Sequence, residues 1–408
     1  LNNITEAERF VSFPDITGEP LYLRDIEQGL DQMNRLPSNK VTLSIQPSAS
    51  NGFSNIILDN ARSDNTFISA SIDNLGSEST GEWRYGVRLT QESLLGINDR
   101  IDLGYNRSKA DHKEKGFNSF TAGLSLPFRY LTLNNNFSYS DYLTSYVLQQ
   151  SGERFYTLGD SINNNISLDY LYMRGKTHKL SISVGQTYKR SRNYMKVLDF
   201  QTKNEASSRA LASVYLELPS TFYLPSGVLY FKPSIVKGVD MFGGLDDDQV
   251  PYPQTAQYRA WKAYLYYSHS FSKANLALTA DGQYSEFELY GSEGFSIGGE
   301  GTVRGFKEFS GVGDKGIVLK TELSSNLGTL FGQEFLQPYR LAVFYDWGSA
   351  SSNSTDIERV KLAGMGASLS MDYGFINASI TYAKALSKPD DCDESTALYC
   401  RLGLHYSF

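Results

Sequence analysis

The sequence predicts an all-β transmembrane barrel of sixteen antiparallel strands with a partial α/β domain at its N-terminus. Three observations support this fold class. The 408 residues include 28 Tyr and 23 Phe but only 6 Met, a composition that favours strands over helices. From about residue 66 onward, segments of alternating apolar and polar residues recur regularly. The connections between these segments alternate between short and long, which is typical of a membrane barrel.

The overall composition is compatible with a barrel in a membrane. No apolar run approaches the roughly 20 residues that a membrane helix needs, and the mean hydropathy is −0.35. A transmembrane barrel has such a value because only alternate residues of its strands face lipid. The net charge of −7 is spread along the chain without a basic run, so we expect no nucleic-acid partner. The chain starts at Leu1 without Met or a signal peptide, and we therefore expect a processed or truncated product.

The segment KLSISVGQTY at 179–188 illustrates the alternation that predicts the strands. Leu180, Ile182 and Val184 share one face, and the small polar residues between them share the other. Sixteen such segments begin near Thr66, Trp83, Arg100, Phe117, Leu131, Ile162, His178, Ala206, Val228, Arg259, Ala274, Gly316, Tyr339, Lys361, Phe375 and Ala397. An even number of strands places both ends of the barrel on the same side of the membrane.

The lengths of the connections assign the two sides. Short connections lie at 94–98, 174–176, 271–273 and 373–375, and long ones at 241–255, 351–359 and 387–396. In outer-membrane barrels the short turns face the periplasm. A stack of β-sandwich domains would also alternate. Most segments, however, reach the roughly 9 to 11 residues that a tilted membrane strand requires, and Tyr and Trp recur at strand ends. A sixteen-stranded barrel is wide enough for a water-filled lumen.

Residues 1–64 have a different pattern, so we divide the chain into an α/β domain at 1–64 and a barrel at 65–408. Within 21–39, Leu23, Ile26, Leu30 and Met33 recur at helical spacing, and Pro37 marks the end of the helix. Two short strands follow, at 41–45 and 55–58. A helix and a hairpin bury too little core to fold alone, so we expect the remainder of a domain whose first strand is missing.

Motifs that would indicate chemistry are few. The stretch GVGDKG at 311–316 matches a phosphate-binding fingerprint, but that motif requires a strand before it and a helix after it. Here a loop leads in and a strand follows. Histidines are scattered, and neither Cys-x-x-Cys nor Gly-x-Ser-x-Gly occurs. These patterns predict no metal site, no nucleotide-binding site and no catalytic triad. Cys392 and Cys400, eight residues apart, are expected to form a disulfide, with two free thiols as the alternative.

A glycine-rich loop at 291–315 connects the eleventh and twelfth predicted strands and is longer than closure requires. Arg304 lies near its centre. In the strand at 339–348, the alternation places Phe344, Asp346 and Gly348 on the lumen face. The loop is either a surface loop with a solvated arginine or a loop that folds inward and pairs Arg304 with Asp346.

Two motifs in these segments resemble those of the Omp85 superfamily. TVRGF at 302–306, which contains Val303, Arg304, Gly305 and Phe306, resembles the Val-Arg-Gly-Phe/Tyr motif of its sixth extracellular loop. FYDWG at 344–348 resembles its Phe-x-Asp-x-Gly strand motif. The resemblance implies that loop six, residues 291–315, folds inward and that Arg304 and Asp346 form a lumenal ion pair that anchors it.

Residues 23–47 are similar to the second POTRA domain of the two-partner secretion transporters within that superfamily. This is the haemolysin-activator and filamentous-haemagglutinin-transporter family, which includes the transporters of contact-dependent inhibition toxins. The family also has a plug helix and a first POTRA domain ahead of this region, and this sequence contains neither.

The resemblance implies export of one large, unfolded β-helical exoprotein across the bacterial outer membrane without nucleotide. Export needs no chemical step, so we expect no enzyme and no cofactor. The POTRA domain would lie in the periplasm and capture the secretion domain of the exoprotein. The lumen wall would conduct the extended chain, and its inward strand phases carry Arg84, Arg88, Asp102, Asp281, Lys320 and Glu322. Phe408 ends the last strand and is expected to be the signal for assembly.

The expected partners are the exoprotein, outer-membrane lipid and lipopolysaccharide, and the barrel-assembly machinery, and we expect a monomer. The alternatives are a barrel insertase of the same superfamily and a general diffusion porin.

Overall fold

The computed structural model describes residues 2–14, 18–109, 115–147, 154–197, 204–249, 253–354 and 358–408. Its N-terminal part is small and contains the helices α1 (Glu6–Ser12) and α2 (Leu23–Met33) and the strands β1 (Val41–Pro47) and β2 (Ser54–Asn60). The two strands pair in an antiparallel sheet. Asn2 forms an isolated parallel bridge with Asp59, so the start of the chain lies along the outer edge of β2.

Helix α1 was missed in the sequence analysis. Thr5 caps it: the Thr5 hydroxyl accepts a hydrogen bond from the Glu8 backbone at 3.1 Å, and the Glu8 carboxylate accepts one from the Thr5 backbone at 2.9 Å. Such a reciprocal pair satisfies two backbone donors at the start of a helix. The Thr-x-x-Glu spacing at 5–8 was the signal that could have identified α1.

The helix predicted from the spacing at 21–39 is present as α2, and its apolar face supplies part of a small core. The core contains Ile4, Phe13, Met33, Val41 and Leu58. Gly29 lies directly against the Phe13 ring, since a β-carbon at this glycine would stand 1.9 Å from a ring atom. The two helices therefore meet at a position where no side chain fits.

The remaining strands form a closed antiparallel barrel in which the last strand pairs with the first. The barrel strands are β3 (Thr66–Asp73), β4 (Arg84–Glu92), β5 (Arg100–Lys109), β6 (Gly116–Phe128), β7 (Leu131–Val147), β8 (Arg154–Arg174), β9 (His178–Val197), β10 (Asn204–Glu217), β11 (Ser220–Leu224), β12 (Gly227–Val239), β13 (Arg259–Ser270), β14 (Asn275–Ser285), β17 (Lys315–Asn326), β18 (Tyr339–Ser351), β19 (Val360–Tyr373), β20 (Ile376–Ser387) and β21 (Thr396–Ser407). A short hairpin, β15 (Phe295–Ile297) and β16 (Gly311–Gly313), lies in loop six.

The barrel has sixteen strands, as predicted, because β10 and β11 are two pieces of one strand. Both pieces pair with β9 on one side and with β12 on the other. The interruption falls at Leu218 and Pro219, and proline has no N–H for the ladder. The Pro219 carbonyl still accepts a hydrogen bond from the Ser181 backbone at 2.8 Å, which keeps the strand in place.

One strand start differs clearly from the prediction. β8 begins at Arg154 and runs for 21 residues, whereas the alternation predicted a start near Ile162. Asp160 interrupts the apolar phase that Tyr156, Leu158 and Ile162 share, so the alternation did not reveal the first part of the strand. Of the long connections predicted at 241–255 and 351–359, residues 250–252 and 355–357 lie outside the described residues.

The outer face of the barrel is apolar and the inner face polar. On β4, for example, Tyr85, Val87 and Leu89 are exposed on the outside, and Gly86 and Thr90 are buried on the inside. Across the ranges that the structure describes, no helix is long and apolar enough to span a membrane.

Helix α2 lies against the short turns at one end of the barrel. The side-chain amides of Gln28 and Gln32 donate to the Arg129 carbonyl at 2.8 and 2.9 Å. The Arg174 guanidinium donates to Asp31 at 2.6 Å and to Glu27 at 3.3 Å. These contacts join helix α2 to the turn at 129–130 and to the end of β8.

Candidate functional site

Loop six doubles back into the barrel, and its centre is buried. Val303 and Phe306 are fully buried, and Gly305 has a φ of 110°, a backbone conformation that favours glycine. The apolar cluster that encloses the loop includes residues of β17, β18 and β19 and consists of Phe295, Ile297, Val303, Phe306, Val318, Ala350, Leu362 and Cys392. Loop six is therefore not a solvated surface loop.

Arg304 and Asp346 are in direct contact inside the lumen. Nε of Arg304 lies 2.6 Å from Oδ2 of Asp346 and Nη2 lies 2.9 Å from Oδ1, so the guanidinium grips both carboxylate oxygens. The backbone N–H of Arg304 also donates to Oδ2 at 3.1 Å. Asp346 has no exposed surface. All three bonds tie the tip of loop six to one residue of β18.

Two further side chains complete the surroundings of Arg304. Nη1 of Arg304 donates to Glu322 on β17 at 3.0 Å, and the guanidinium carbon lies 3.4 Å from the centre of the Phe344 ring. A cation over an aromatic face is stabilised by the ring electrons. The guanidinium is thus shared between two carboxylates, of which Asp346 is buried and Glu322 is partly exposed.

The wall that receives the loop is shaped by glycines on neighbouring strands. A β-carbon at Gly348 would stand 2.8 Å from a methyl group of Val303, and one at Gly364 would stand 1.8 Å from the Arg304 carbonyl. Glycines within strands mark such close approaches. Gly348 is the last residue of the predicted strand motif, and its lack of a side chain makes room for Val303 of loop six.

Several residues that hold the loop were missed in the sequence analysis. The Tyr399 hydroxyl accepts from the Gly305 backbone at 3.2 Å and donates to the Phe306 carbonyl at 3.3 Å. The Glu394 carboxylate accepts from three successive backbone N–H groups, those of residues 307, 308 and 309, at 2.7, 3.0 and 2.8 Å. Tyr399 could have been found as an aromatic residue on the lumen phase of β21, and Gly364 as a glycine inside a strand.

The predicted lumen-wall residues fall into two groups. Lys320 lies beside the loop and donates to the carbonyls of Glu300 and Gly301 at 3.3 and 3.0 Å, and Glu322 binds Arg304 as described. Away from the loop, on β4, β5 and β14, lie Arg84, Arg88, Asp102 and Asp281.

In this second group, two residues form ion pairs with neighbouring side chains. Arg84 pairs with Asp73 at 2.7 Å, and Asp102 pairs with Arg100 at 2.8 Å. The structure therefore brings only Lys320 and Glu322 together with loop six.

The expected disulfide is absent, because both cysteines are free. Cys392 is buried in the apolar cluster under loop six. Cys400 lies on β21 opposite Ile380, in phase with the exposed Leu398 and Leu402. The two thiols thus lie on opposite faces of the barrel wall, which is why eight residues of spacing do not bring them together.

Phe408 lies at the seam of the barrel. Its backbone N–H donates to the Thr66 carbonyl at 3.0 Å, and its carbonyl accepts from Thr66 at 3.2 Å. The ring is 57% exposed and lies 6.1 Å from that of Tyr406. The two ends of the barrel therefore meet at the side that carries the short turns.

Comparison with known proteins identifies the family. Residues 52–371 match the model of the haemolysin secretion/activation proteins ShlB/FhaC/HecB, and residues 2–47 match a POTRA domain. The outer membrane transporter CdiB of Dickeya dadantii is 33% identical over 327 residues, which are 79% of this chain and 57% of that protein. The haemolysin transporter protein HpmB of Proteus mirabilis is 32% identical over 319 residues, 76% of this chain and 56% of that protein.

A solved structure supports the same assignment. The structure of CdiB from Escherichia coli superposes with a TM-score of 0.91 at 28% identity, covering 99% of this chain and 74% of that one. The chain spans less than two thirds of the length of the two curated transporters. Outer-membrane relatives and the barrel fold place this chain in the bacterial outer membrane with its POTRA region in the periplasm. The chain belongs to the ShlB/FhaC/HecB family of haemolysin secretion/activation proteins.

Proposed function

We propose that the chain is the pore of a two-partner secretion system, which exports one large, unfolded β-helical exoprotein through its lumen without nucleotide. The single observation that carries this proposal is the buried contact of Arg304 with Asp346, which holds loop six inside the barrel. A loop held in this way occupies space that an exported chain would need. Loop six would then act as a latch that moves during export.

The charges around the latch fit a reversible contact. Asp346 and Glu322 share one guanidinium, and Lys320 holds the loop through backbone carbonyls. An incoming extended chain also carries backbone carbonyls and carboxylates, so it can compete for the same donors. Because these bonds are polar, they can exchange for water or substrate, although movement of the loop also withdraws Val303 and Phe306 from the apolar cluster.

The division of the chain and its partners are part of the same proposal. Residues 1–64 would be the second POTRA domain, without its first strand, and residues 65–408 the barrel. The POTRA domain would bind the N-terminal secretion domain of the exoprotein, and an extended segment can add to a sheet edge by backbone hydrogen bonds. The barrel would contact lipid and lipopolysaccharide, depend on the barrel-assembly machinery through Phe408 and act as a monomer. Its relatives are named transporters, and no enzymatic activity is proposed.

The two alternatives are less well supported. An insertase of the same superfamily would share both loop motifs, but the matched family is that of secretion and activation proteins. A diffusion porin would be steadily open, whereas a loop held by three hydrogen bonds to Asp346 favours a pore that is mostly closed.

Export is tested by producing the complete transporter together with candidate exoproteins and measuring each exoprotein in the medium. The latch is tested in the same assay after both native cysteines are replaced by alanine and Val303 and Gly348, which lie in close contact, are replaced by cysteine. A disulfide between positions 303 and 348 should stop secretion until a reducing agent is added, and either single cysteine variant is the control.

The two parts of the proposal fail separately. If no exoprotein of this class reaches the medium with the unmodified transporter, the export function is wrong. If the oxidised double-cysteine variant secretes as well as the reduced one, export can still stand but the latch is wrong.

A further inference from the structure

Three consecutive residues, Phe128, Arg129 and Tyr130, form the periplasmic rim of the barrel between β6 and β7. Phe128 pairs with Leu131 and lies in phase with the exposed Phe120 on the outer face of β6. It is 45% exposed. Its ring therefore belongs to the lipid-facing surface, at the level where the strands leave the membrane.

Helix α1 is fixed against this rim. The Arg129 backbone N–H donates to the Val11 carbonyl. The ring of Phe10 lies 6.0 Å from that of Phe128 in an edge-to-face arrangement. The Arg129 guanidinium lies 5.0 Å from the Phe10 ring and 5.4 Å from the Phe128 ring. Phe10 nevertheless keeps 51% of its surface exposed, so the exposed apolar surface of the barrel continues onto the POTRA region.

The start of helix α2 lies at the same rim. The Arg24 guanidinium lies 5.9 Å from the Tyr130 ring, and the Tyr130 hydroxyl donates to the carboxylate of Asp25. Burial and this bond to Asp25 raise the pKa of Tyr130 to about 12, so the hydroxyl stays a neutral donor. The two residues before Arg24, Tyr22 and Leu23, are 62% and 60% exposed.

We propose that Phe10, Tyr22 and Leu23 form a membrane foot that enters the periplasmic leaflet of the outer membrane. Arg24 and Arg129 would lie at the depth of the phospholipid phosphates and bind them. Aromatic and leucine side chains with arginines beside them are the composition of membrane-interface segments. The apolar bodies enter the acyl region, and the guanidinium groups remain with the headgroups.

Continuity with the barrel favours phospholipid over a protein partner. Phe10 touches Phe128, whose neighbours on the outer face of β6 and β7 include the exposed Leu133. A protein bound to Phe10 would have to displace lipid from the barrel itself. The foot would hold the POTRA region to the membrane on one side, while the bonds of Asp31 to Arg174 and Lys179 hold it to the barrel.

The test measures the depth of single positions in a bilayer. In the complete transporter with both native cysteines replaced by alanine, a nitroxide is attached at Tyr22→Cys and, in a second variant, at Phe10→Cys. Phe53→Cys is the matched control, because Phe53 is also exposed, at 58%, but lies in the turn between β1 and β2. The proteins are reconstituted in vesicles of phosphatidylethanolamine and phosphatidylglycerol. Collisions of the nitroxide with oxygen, which concentrates in lipid, and with a water-soluble nickel complex are then measured.

We expect the labels at 22 and 10 to favour oxygen over the nickel complex several-fold relative to the label at 53. Heat-modifiability on gels verifies that each variant has a folded barrel. Equal nickel accessibility at 22, 10 and 53 would show that the helices lie in water and would overturn the foot. Low accessibility to both reagents at 22 and 10 would show that protein covers this surface, either another part of the chain or a second copy, and would also overturn it.

Discussion

Gly364 on β19 lies against the backbone of Arg304, so that a β-carbon on the glycine would stand 1.8 Å from the Arg304 carbonyl oxygen. A backbone atom in a loop held on both sides cannot move aside as a flexible side chain can. Gly364→Ala should therefore displace the tip of loop six at a cost of about 1 to 3 kcal/mol. In single-channel recordings, the ratio of open to closed time should rise roughly 5- to 150-fold, since about 1.4 kcal/mol corresponds to a factor of ten.

Gly123→Ala is the matched control for this substitution. Gly123 lies on the lumen face of β6, where a new β-carbon would meet its nearest neighbours at 3.4 and 3.5 Å, an ordinary contact distance. Its recordings should resemble those of the unmodified pore. If Gly364→Ala leaves the open fraction unchanged as well, the close packing of the loop tip does not limit opening.

Removing either partner of the Arg304–Asp346 pair should cut secretion strongly while leaving barrel assembly measurable. The free energy lost on breaking an ion pair is smaller in a water-filled lumen than in a dry interior. Asp346, however, has no exposed surface, so the larger value applies. An unpaired buried charge costs about 3 to 5 kcal/mol. Secretion of the exoprotein, normalised to barrel abundance, is the measurement. The double variant should be little worse than either single one, because the two groups act together.

Glu322→Gln is the milder companion of these variants. Its carboxylate is 32% exposed and binds the same guanidinium at 3.0 Å, so its loss should cost about 1 kcal/mol or less.

Losses that add up in the Arg304 and Asp346 double variant would show that the two residues act independently and would remove the basis of the latch.

The contact of helix α2 with the barrel should depend on pH only in acid. Burial alone would raise the pKa of Asp31, but its bonds to Arg174 and Lys179 outweigh burial and hold the pKa below its ordinary value. A lowered pKa in the folded state stabilises the contact above the ordinary aspartate pKa of roughly 3.9 and loses that contribution as the pH falls through the lowered value. Distances between spin labels on α2 and β9 should stay narrow from neutral pH to about pH 5 and broaden below about pH 4.

Asp31→Asn should broaden these distances already at neutral pH, whereas Asp59→Asn, an exposed change on β2, should not. Each surface bond is worth about 1 kcal/mol or less, so a partial release is expected. Broadening between pH 8 and 6 in the unmodified protein would implicate a different titrating group and contradict the assignment to Asp31.

The strand pattern predicted most of the barrel because lipid outside and water inside force a period of two on each strand. The same phase predicted that Asp346 faces inward, and the structure places it there. The prediction was less accurate where the sequence does not keep this period of two. Asp160 interrupts the alternation in the first part of β8. The break at Pro219 is bridged by β9 and β12, which pair with both pieces of the strand, so the strand count is unchanged.

The partners of loop six required the fold itself. Glu394 and Tyr399 hold the loop from sequence distances of more than 80 residues, and alternation carries no information about which loop a lumen residue touches. For the two cysteines, the sequence suggested a contact that the structure does not contain. Spacing along the chain suggested a bond, but the wall of the barrel lies between the two thiols.

Both cysteines should react with a thiol reagent without prior reduction. After unfolding in detergent under non-reducing conditions, mass spectrometry should show that two molecules of N-ethylmaleimide have been added, because both thiols are free. Cys392→Ser places a hydroxyl in the apolar cluster and should cost about 1 to 3 kcal/mol, which should increase pore opening. Cys400→Ser is the control and should change opening little. If N-ethylmaleimide adds to neither cysteine, the two thiols form a disulfide and the prediction is wrong.

Deleting Phe408 should lower the abundance of the barrel in the outer membrane. The deletion removes the two backbone hydrogen bonds to Thr66 that close the seam and also the exposed terminal ring. Phe408→Ala separates these effects, because it keeps the backbone bonds and loses only the ring. If the assembly machinery reads the ring, Phe408→Ala should lower abundance about as much as the deletion. Tyr406→Ala, which removes another exposed ring on the same strand, should have a smaller effect.

Unchanged abundance and heat-modifiability in both Phe408 variants would show that the ring is not an assembly signal. A loss of abundance that occurs only in the deletion would show that Phe408 acts through the backbone bonds of the seam.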